Sequence, residues 1–287
     1  MPEPRTTSAP PISEPAPAKV NLSLRVTGRR PDGYHLLDST VVFASIGDTL
    51  SVAPAGHLSL DIDGPFAAAL ADAGGVAADD NLVLRAARLL ARACGGVPHG
   101  ALHLTKRLPV AAGLGGGSAD AAAALRLLAR FWDIDAAIDL AAIAGRLGAD
   151  VPVCLGLATA RMTGIGERVE RLGARLSGYG LVLANPGQAL ATADVFAARQ
   201  GPFSRPAGDP LDPLDWRNDL TEPAVGLCPA IGEVLATLGR LDAIALGLSG
   251  SGATCWALLQ HEEAAQAEAA ELARRRPGWW VAGGRVL

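Results

Sequence analysis

"KRLPVAAGLGGGSADAAAALRLL", from Lys106 to Leu128, sets Gly113, Gly115, Gly116, Gly117 and Ser118 directly before an unbroken alanine- and leucine-rich segment. The second half has the composition of a strong helix. A helix start exposes unpaired N–H groups and the positive end of the helix dipole. Glycines ahead of it let the backbone approach a ligand closely and adopt positive φ. Together these features predict a phosphate cradle. Close packing of the helix on a strand is a weaker explanation, because each glycine loses much backbone entropy on folding.

On the N-terminal side, "AKVNLSLRVTG" begins at Ala18 and alternates Val20, Leu22, Leu24 and Val26, which predicts a half-buried strand. "RRPDGYH", from Arg29 to His35, is a turn built on Pro-Asp-Gly. "LLDSTVVFASIGDTLSVAP" reads as two strands joined by a turn at Gly47-Asp48, and "HLSLDIDG" as another strand. "NLVLRAARLLARACGG" from Asn81 is an amphipathic helix, and "HGALHLTKRLP" a strand leading into the glycine stretch. Beyond the central helix lie a short helix "DLAAIAGRLG" and the segment "ADVPVCL".

From Ala158 a second half is expected. It holds a hairpin "ATARMTGIGERVERL", a buried strand in "GYGLVLANPG", a proline-rich loop over residues 200–216 and one helical stretch "TEPAVGLCPAIGEVLATLGRL". Then come strand, glycine turn and strand in "AIALGLSGSGATCWALL", a surface helix and a closing strand. Strands and helices do not alternate regularly. The class is therefore α+β, with mixed or antiparallel sheets and helices on one face. The expected division is a disordered proline-rich tail over 1–17, an N-terminal part over 18–157 and a C-terminal part over 158–287.

The 287 residues are 49% apolar, enough for a full core, and the net charge of −4 argues against nucleic acid as the main partner. No apolar run reaches the roughly 18 residues of a membrane span. The tail, with six prolines in 17 residues, lacks the apolar stretch of a signal peptide. Cys94, Cys154, Cys228 and Cys255 are too far apart for a zinc motif, and no metal site is expected. Reduced thiols and a cytoplasmic location follow as expectations. The sequence leaves the oligomeric state open, a homodimer included.

Three kinds of phosphate loop need separating. No lysine follows the glycines, as the G-x-x-x-x-G-K-[ST] loop requires, and Ser118 occupies the last glycine of G-x-G-x-x-G. Pro109, Gly113, Leu114, Gly115, Gly116, Gly117, Ser118 and Ala119 instead resemble P-x-x-x-G-L-G-[GS]-S-[AS], with one extra glycine. That is the ATP loop of the galactokinase, homoserine kinase, mevalonate kinase and phosphomevalonate kinase superfamily. "PAKVNLSL" from Pro17 and "LSGSGAT" from Leu248 resemble its N-terminal lysine motif and C-terminal glycine turn. "RPDGYH", "DNL" from Asp80, "LGADVPV" from Leu147 and Asn218-Asp219-Leu220 are similar to a branch acting on a cytidine diphosphate-linked methylerythritol in isoprenoid precursor synthesis.

The resemblance implies a two-domain fold, ATP-binding over 18–157 and substrate-binding over 158–287, with the active site in the interdomain cleft, and transfer of the ATP γ-phosphoryl group to the substrate's 2-hydroxyl with Mg²⁺ present. It implies catalytic roles for Lys19 and Asp150. ATP would be held by Pro109, Val110, Ala111, Ala112, Gly113, Leu114, Gly115, Gly116, Gly117, Ser118 and Ala119, with Asn81 near the adenine. Tyr34 and Phe196 would stack on the two faces of cytosine, His35 would read its edge, and Asn21 and Thr192 would make polar contacts to the substrate. Alternatives are a kinase of another small alcohol, such as homoserine or mevalonate, and a non-catalytic nucleotide-binding relative. "RPDGYH" weighs against the first, and the presence of both Lys19 and Asp150 against the second.

Overall fold

The computed structural model describes residues 11–72 and 81–287. Strands β1 (Ile12–Arg29) and β2 (His35–Ala53) form one long antiparallel pair. Strands β3 (Leu58–Asp63), β4 (Gly100–Thr105), β5 (Ala160–Gly164) and β6 (Arg168–Arg171) complete a mixed sheet in the order β3-β4-β2-β5-β6, with β1 on β2. The pair β3–β4 is parallel and the rest antiparallel. A second, antiparallel sheet has the order β10-β7-β9-β8, from β7 (Gly180–Asn185), β8 (Ala245–Leu248), β9 (Cys255–Leu259) and β10 (Trp280–Arg285).

Helices α1 (Ala67–Asp72), α2 (Leu82–Ala93), α3 (Gly116–Phe131), α4 (Leu140–Leu147) and α5 (Val151–Gly156) belong to the first half of the chain. Helices α6 (Thr192–Ala198), α7 (Thr221–Leu227), α8 (Ala230–Leu238) and α9 (Glu262–Arg275) belong to the second. One apolar core lies between the first sheet and α2–α5, and another between the second sheet and its helices. A third joins the two sheets through Val20, Leu22, Leu114, Leu183 and Trp256. The α+β class with mixed and antiparallel sheets is the one the sequence predicts.

Helix α3 is buried on nearly every side from Ala119 to Leu128. Its alanines let the neighbouring elements approach the helix backbone closely, which an amphipathic surface helix does not require. On β1, Ala18, Val20 and Leu22 point into the core between the sheets, so the strand period turns Lys19 and Asn21 the other way, into a cavity.

Four expectations change. Residues 12–17 are not a disordered tail: they pair with β2 from Ile12↔Val52 to Pro17↔Gly47. Glu14 is buried there, its carboxylate bound by Arg126 at 2.5 Å and Arg130 at 2.6 Å on α3. Prolines suit this segment because strand pairing there leaves edge N–H positions unused. Second, β2 runs straight through Gly47-Asp48. A Cβ at Gly47 would lie 2.4 Å from the Ala16 carbonyl oxygen, so this glycine serves close strand approach, not a turn. Third, the hairpin β5–β6 pairs with β2 and extends the first sheet, so the second half of the fold begins after it, and not at Ala158. Fourth, the single helix expected after Thr221 is two, broken at Cys228-Pro229, where proline cannot continue a helix.

Candidate active site

A cavity of 640 Å³ opens between the glycine loop, β1 and the loops of the second half. It is lined by Lys19, Asn21, Asn81, Pro109, Val110, Ala111, Ala112, Gly113, Gly115, Gly116, Gly117, Ser118, Asp150, Thr192 and Phe196, all named by the sequence. Leu114 and Ala119, also expected at the ATP loop, instead face the core. They act through the backbone: the Leu114 carbonyl accepts from the Lys19 amide at 2.9 Å, and the Ala119 amide donates to Gly115 at 2.8 Å.

The loop is pinned from behind. Gly113 has φ +75°, and a Cβ there would lie 2.2 Å from the Ser249 carbonyl oxygen. The buried Ser249 hydroxyl donates to the Gly113 carbonyl at 2.7 Å and accepts from the Asn21 amide at 3.1 Å. Asn218 donates to the carbonyls of Leu248 and Gly250 at 2.9 and 2.7 Å. The "LSGSGAT" turn is thus locked to both β1 and the glycine loop. Gly115 has φ +62° at the residue before α3, a left-handed conformation costly for a side-chain-bearing residue. The first-turn amides of Gly116, Gly117 and Ser118 have no acceptor within the helix by its geometry, and these residues border the cavity.

Asp150 lies between α4 and α5. It makes no capping bond to α5, while Val151 and Val153, which follow it, are sunk in the core. Its carboxylate is therefore held in place and available, and Lys19 donates to it at 2.8 Å. The lysine side chain is 7% exposed and the aspartate side chain 38%, so the pair is anchored at the lysine and open at the carboxylate.

Asn21 donates to Ser39 at 2.8 Å, but its buried Oδ1 has no partner among the described residues. An orphaned acceptor beside the cavity fits a hydroxyl or amide donor from a ligand, since leaving it unpaired costs about 1–3 kcal/mol. Thr192 pairs with Ser251 at 2.8 Å. Asn81 caps α2, accepting from the Val83 amide at 2.9 Å, and also borders the cavity. Asp80, the first residue of "DNL", lies outside the described residues.

The aromatic end differs from the expected sandwich. His35 stacks on Phe196 at 4.9 Å between centroids, while Tyr34 is 62% exposed. The turn explains this: Arg30 donates to the Tyr34 carbonyl at 2.7 Å, Gly33 has φ +93°, and Asp32 accepts from the Tyr34 amide at 3.3 Å. That geometry turns Tyr34 outward and starts β2 at His35. Burial lowers the His35 pKa, helped by the charges of Arg29 and Arg199, which favours the neutral ring.

Sequence reasoning missed a second charged cluster. Lys106 is buried and donates to Asp48 at 2.5 Å and to Asp120 at 2.6 Å. Asp48 also accepts from the amides of Arg107 and Leu108 at 2.5 and 2.8 Å. The signal was present: a lysine and two aspartates inside otherwise apolar segments. Ser249 and Ser251 sit among the glycines of the "LSGSGAT" motif.

Comparison with known proteins agrees with this geometry. The GHMP kinases N terminal domain matches residues 81–156, and the GHMP kinases C terminal domain matches residues 209–277. The chain is 51% identical to the 4-diphosphocytidyl-2-C-methyl-D-erythritol kinase of Paramagnetospirillum magneticum, covering 95% of this chain and 97% of that one. It is 50% identical to the enzyme of the same name from Ruegeria pomeroyi, covering 95% and 98%. A crystal structure of 4-(cytidine 5'-diphospho)-2C-methyl-D-erythritol kinase, 33% identical, superposes with a TM-score of 0.78 over 96% of this chain and 99% of that one. Homoserine kinase from Cytophaga hutchinsonii, 17% identical with a TM-score of 0.68 over 96% of this chain and 95% of that one, shares the fold. With half of its residues shared across nearly the whole length of such relatives, this chain belongs to the 4-diphosphocytidyl-2-C-methyl-D-erythritol kinase family of GHMP kinases.

Proposed function

We infer that the chain is an ATP-dependent kinase that phosphorylates the 2-hydroxyl of 4-diphosphocytidyl-2-C-methyl-D-erythritol, a step toward isoprenoid precursors. The observation that carries this reading is the 2.8 Å Lys19–Asp150 pair opening into the same cavity as the glycine loop. Phosphoryl transfer depends on positioning and charge neutralisation more than on covalent help. The amides at the start of α3 hold the ATP phosphates. Asp150 orients the acceptor hydroxyl and takes its proton as the new O–P bond forms and the bond from the γ-phosphorus to the β-phosphate oxygen breaks. Lys19 holds Asp150 and offsets the charge on the moving group.

Mg²⁺ bound with the nucleotide would supply further neutralisation of the phosphates. Among the described residues no group of three or more His, Cys, Asp or Glu is placed to hold a metal ion. The His35–Phe196 stack serves the cytosine. Rings 4.9 Å apart leave no room for a base between them. The base would therefore lie on an outer face, with the exposed Tyr34 folding over it. Neutral His35 offers both a donor and an acceptor to the base edge. Asn21 and Thr192 contact the methylerythritol end. ATP thus rests mainly on the first half of the chain and the substrate on both. No helix among the described residues is long and apolar enough to cross a membrane. A cytoplasmic site suits two charged, soluble substrates.

The test is ADP release with ATP, Mg²⁺ and a panel of acceptors: the cytidine substrate, its uridine analogue, homoserine and mevalonate. Turnover confined to the cytidine compound supports the reading. Preference for homoserine or mevalonate would replace it with another alcohol kinase.

A further inference from the structure

The Asp48–Lys106–Asp120 cluster carries one positive and two negative charges, all buried, at the wall of a cavity that on the reading above receives a polyanion. A surplus buried carboxylate opposes phosphate binding there. Its two members are not equivalent. Asp48 is saturated, with two backbone amides on one oxygen and Lys106 on the other. Asp120 receives Lys106 on Oδ2, while its buried Oδ1 has no partner among the described residues. It stands one turn into α3, two residues after Ser118.

We propose that Asp120 takes up one proton from solvent on Oδ1 when the phosphates of ATP enter the cradle. Protonation brings the cluster to neutrality and converts an orphaned acceptor into a donor. Lys106 stays charged between the two aspartates. The proposal rests on the kinase reading for the identity of the anion.

The surroundings single out Asp120 as the site of the change. From β2 it faces Asp48, and from the end of β4, Lys106. From α5 it faces Cys154, whose thiol burial pushes up to about 12, so that it stays neutral. Lys19 of β1 is engaged with Asp150, and Arg126 on the same helix with Glu14. The faces of α2 and α4 toward α3 present Val83, Ala86, Leu90, Ile143 and Leu147, without charge. Burial, reinforced by Asp48 and opposed by Lys106, raises the Asp120 carboxyl to about 7. A nearby anion raises it further. Burial pulls Lys106 down, but the two carboxylates outweigh it and raise its pKa, so the lysine is not the group that titrates.

The experiment is calorimetric titration of the full chain with Mg-ATP from pH 6 to 9, in two buffers of different ionisation enthalpy. Wild type should take up a fraction of a proton, peaking above pH 7, and its affinity should fall by up to about tenfold per pH unit there. Adenosine, which lacks phosphates, should bind without that uptake. Asp120→Asn should abolish the uptake and flatten the pH dependence. Infrared difference spectra of wild type should show a new carboxylic-acid C=O band on adding ATP, which does not depend on the variant folding. Absence of the band and of uptake in wild type, or equal uptake in folded Asp120→Asn, would overturn the assignment. Failure of ATP to bind wild type at any pH would overturn the kinase reading beneath it, a distinct result.

Discussion

Lys19 and Lys106 flank the glycine loop, and adjacent glycines make room for them. A Cβ on Gly115 would lie 3.2 Å from the Lys19 side chain, and one on Gly116 would lie 3.1 Å from the Lys106 amine. Both lysines are buried and both bind aspartate. The difference lies in the partners. Lys19 holds one carboxylate whose side chain is 38% exposed, while the carboxylates on Lys106 are almost wholly enclosed. An ion pair open at one end can present its free oxygens to a substrate. One closed on every side can only hold the protein together or answer a nearby charge. On the proposed reading, the same residue type serves chemistry on one side of the loop and architecture on the other.

The sharpest way to break this contrast is to remove charge from each side in turn. Asp150→Asn and Lys19→Ala should each lower kcat by about 10²–10⁴-fold, as for groups acting in the transition state, with the melting temperature little changed. Steady-state kinetics beside a melting curve check this; near-normal turnover would take that residue out of the mechanism. Lys106→Met should do the reverse, leaving two buried carboxylates without their cation. The cost is about 3–5 kcal/mol of stability, read by denaturant unfolding. A stable Lys106→Met protein that fails only in turnover would erase the contrast.

The N-terminal strand offers an intermediate effect. Deleting residues 2–15 removes Glu14 and leaves Arg126 and Arg130 without their carboxylate. The loss of this half-enclosed pair alone is worth about 1–3 kcal/mol, and Glu14→Gln should recover part of it. An unchanged melting temperature after the deletion would show that the strand before Ala16 adds nothing.

The smallest effect belongs to His35. Its folded-state pKa is lowered, so its contribution to stability is present above the unfolded value and is lost as pH falls through the folded one. Acidification below the ordinary histidine range should therefore weaken the His35–Phe196 stack. A His35→Gln variant should lose less stability than wild type over that window, by a degree or two of melting temperature at most. Equal acid sensitivity of the two proteins would assign the titration to other groups.

Most of the cradle was legible before the fold was known. Glycines before an alanine-rich run predict an anion site because helix ends and glycine φ freedom are local properties. Lys19 and Asp150 were legible only through motif resemblance, since 131 residues separate them. The outward direction of Tyr34 was not legible, because a turn's local chemistry does not say which way its last side chain faces. Gly47-Asp48 misled for a related reason: glycine permits a turn but also permits close strand contact, and only Ala16 on the neighbouring strand decides which.

The sequence by itself determined most of the helix and strand pattern, the glycine loop ahead of α3 and the chemical types available at the site. These depend on neighbours within a few positions along the chain, where steric and hydrogen-bond preferences act directly. The tertiary structure decided which charges meet. Asp48, Lys106 and Asp120 are joined across separations of 58 and 14 residues, and a carboxylate's protonation and role follow from burial and facing charge. Those are set by packing in three dimensions, and spacing along the chain carries no record of them.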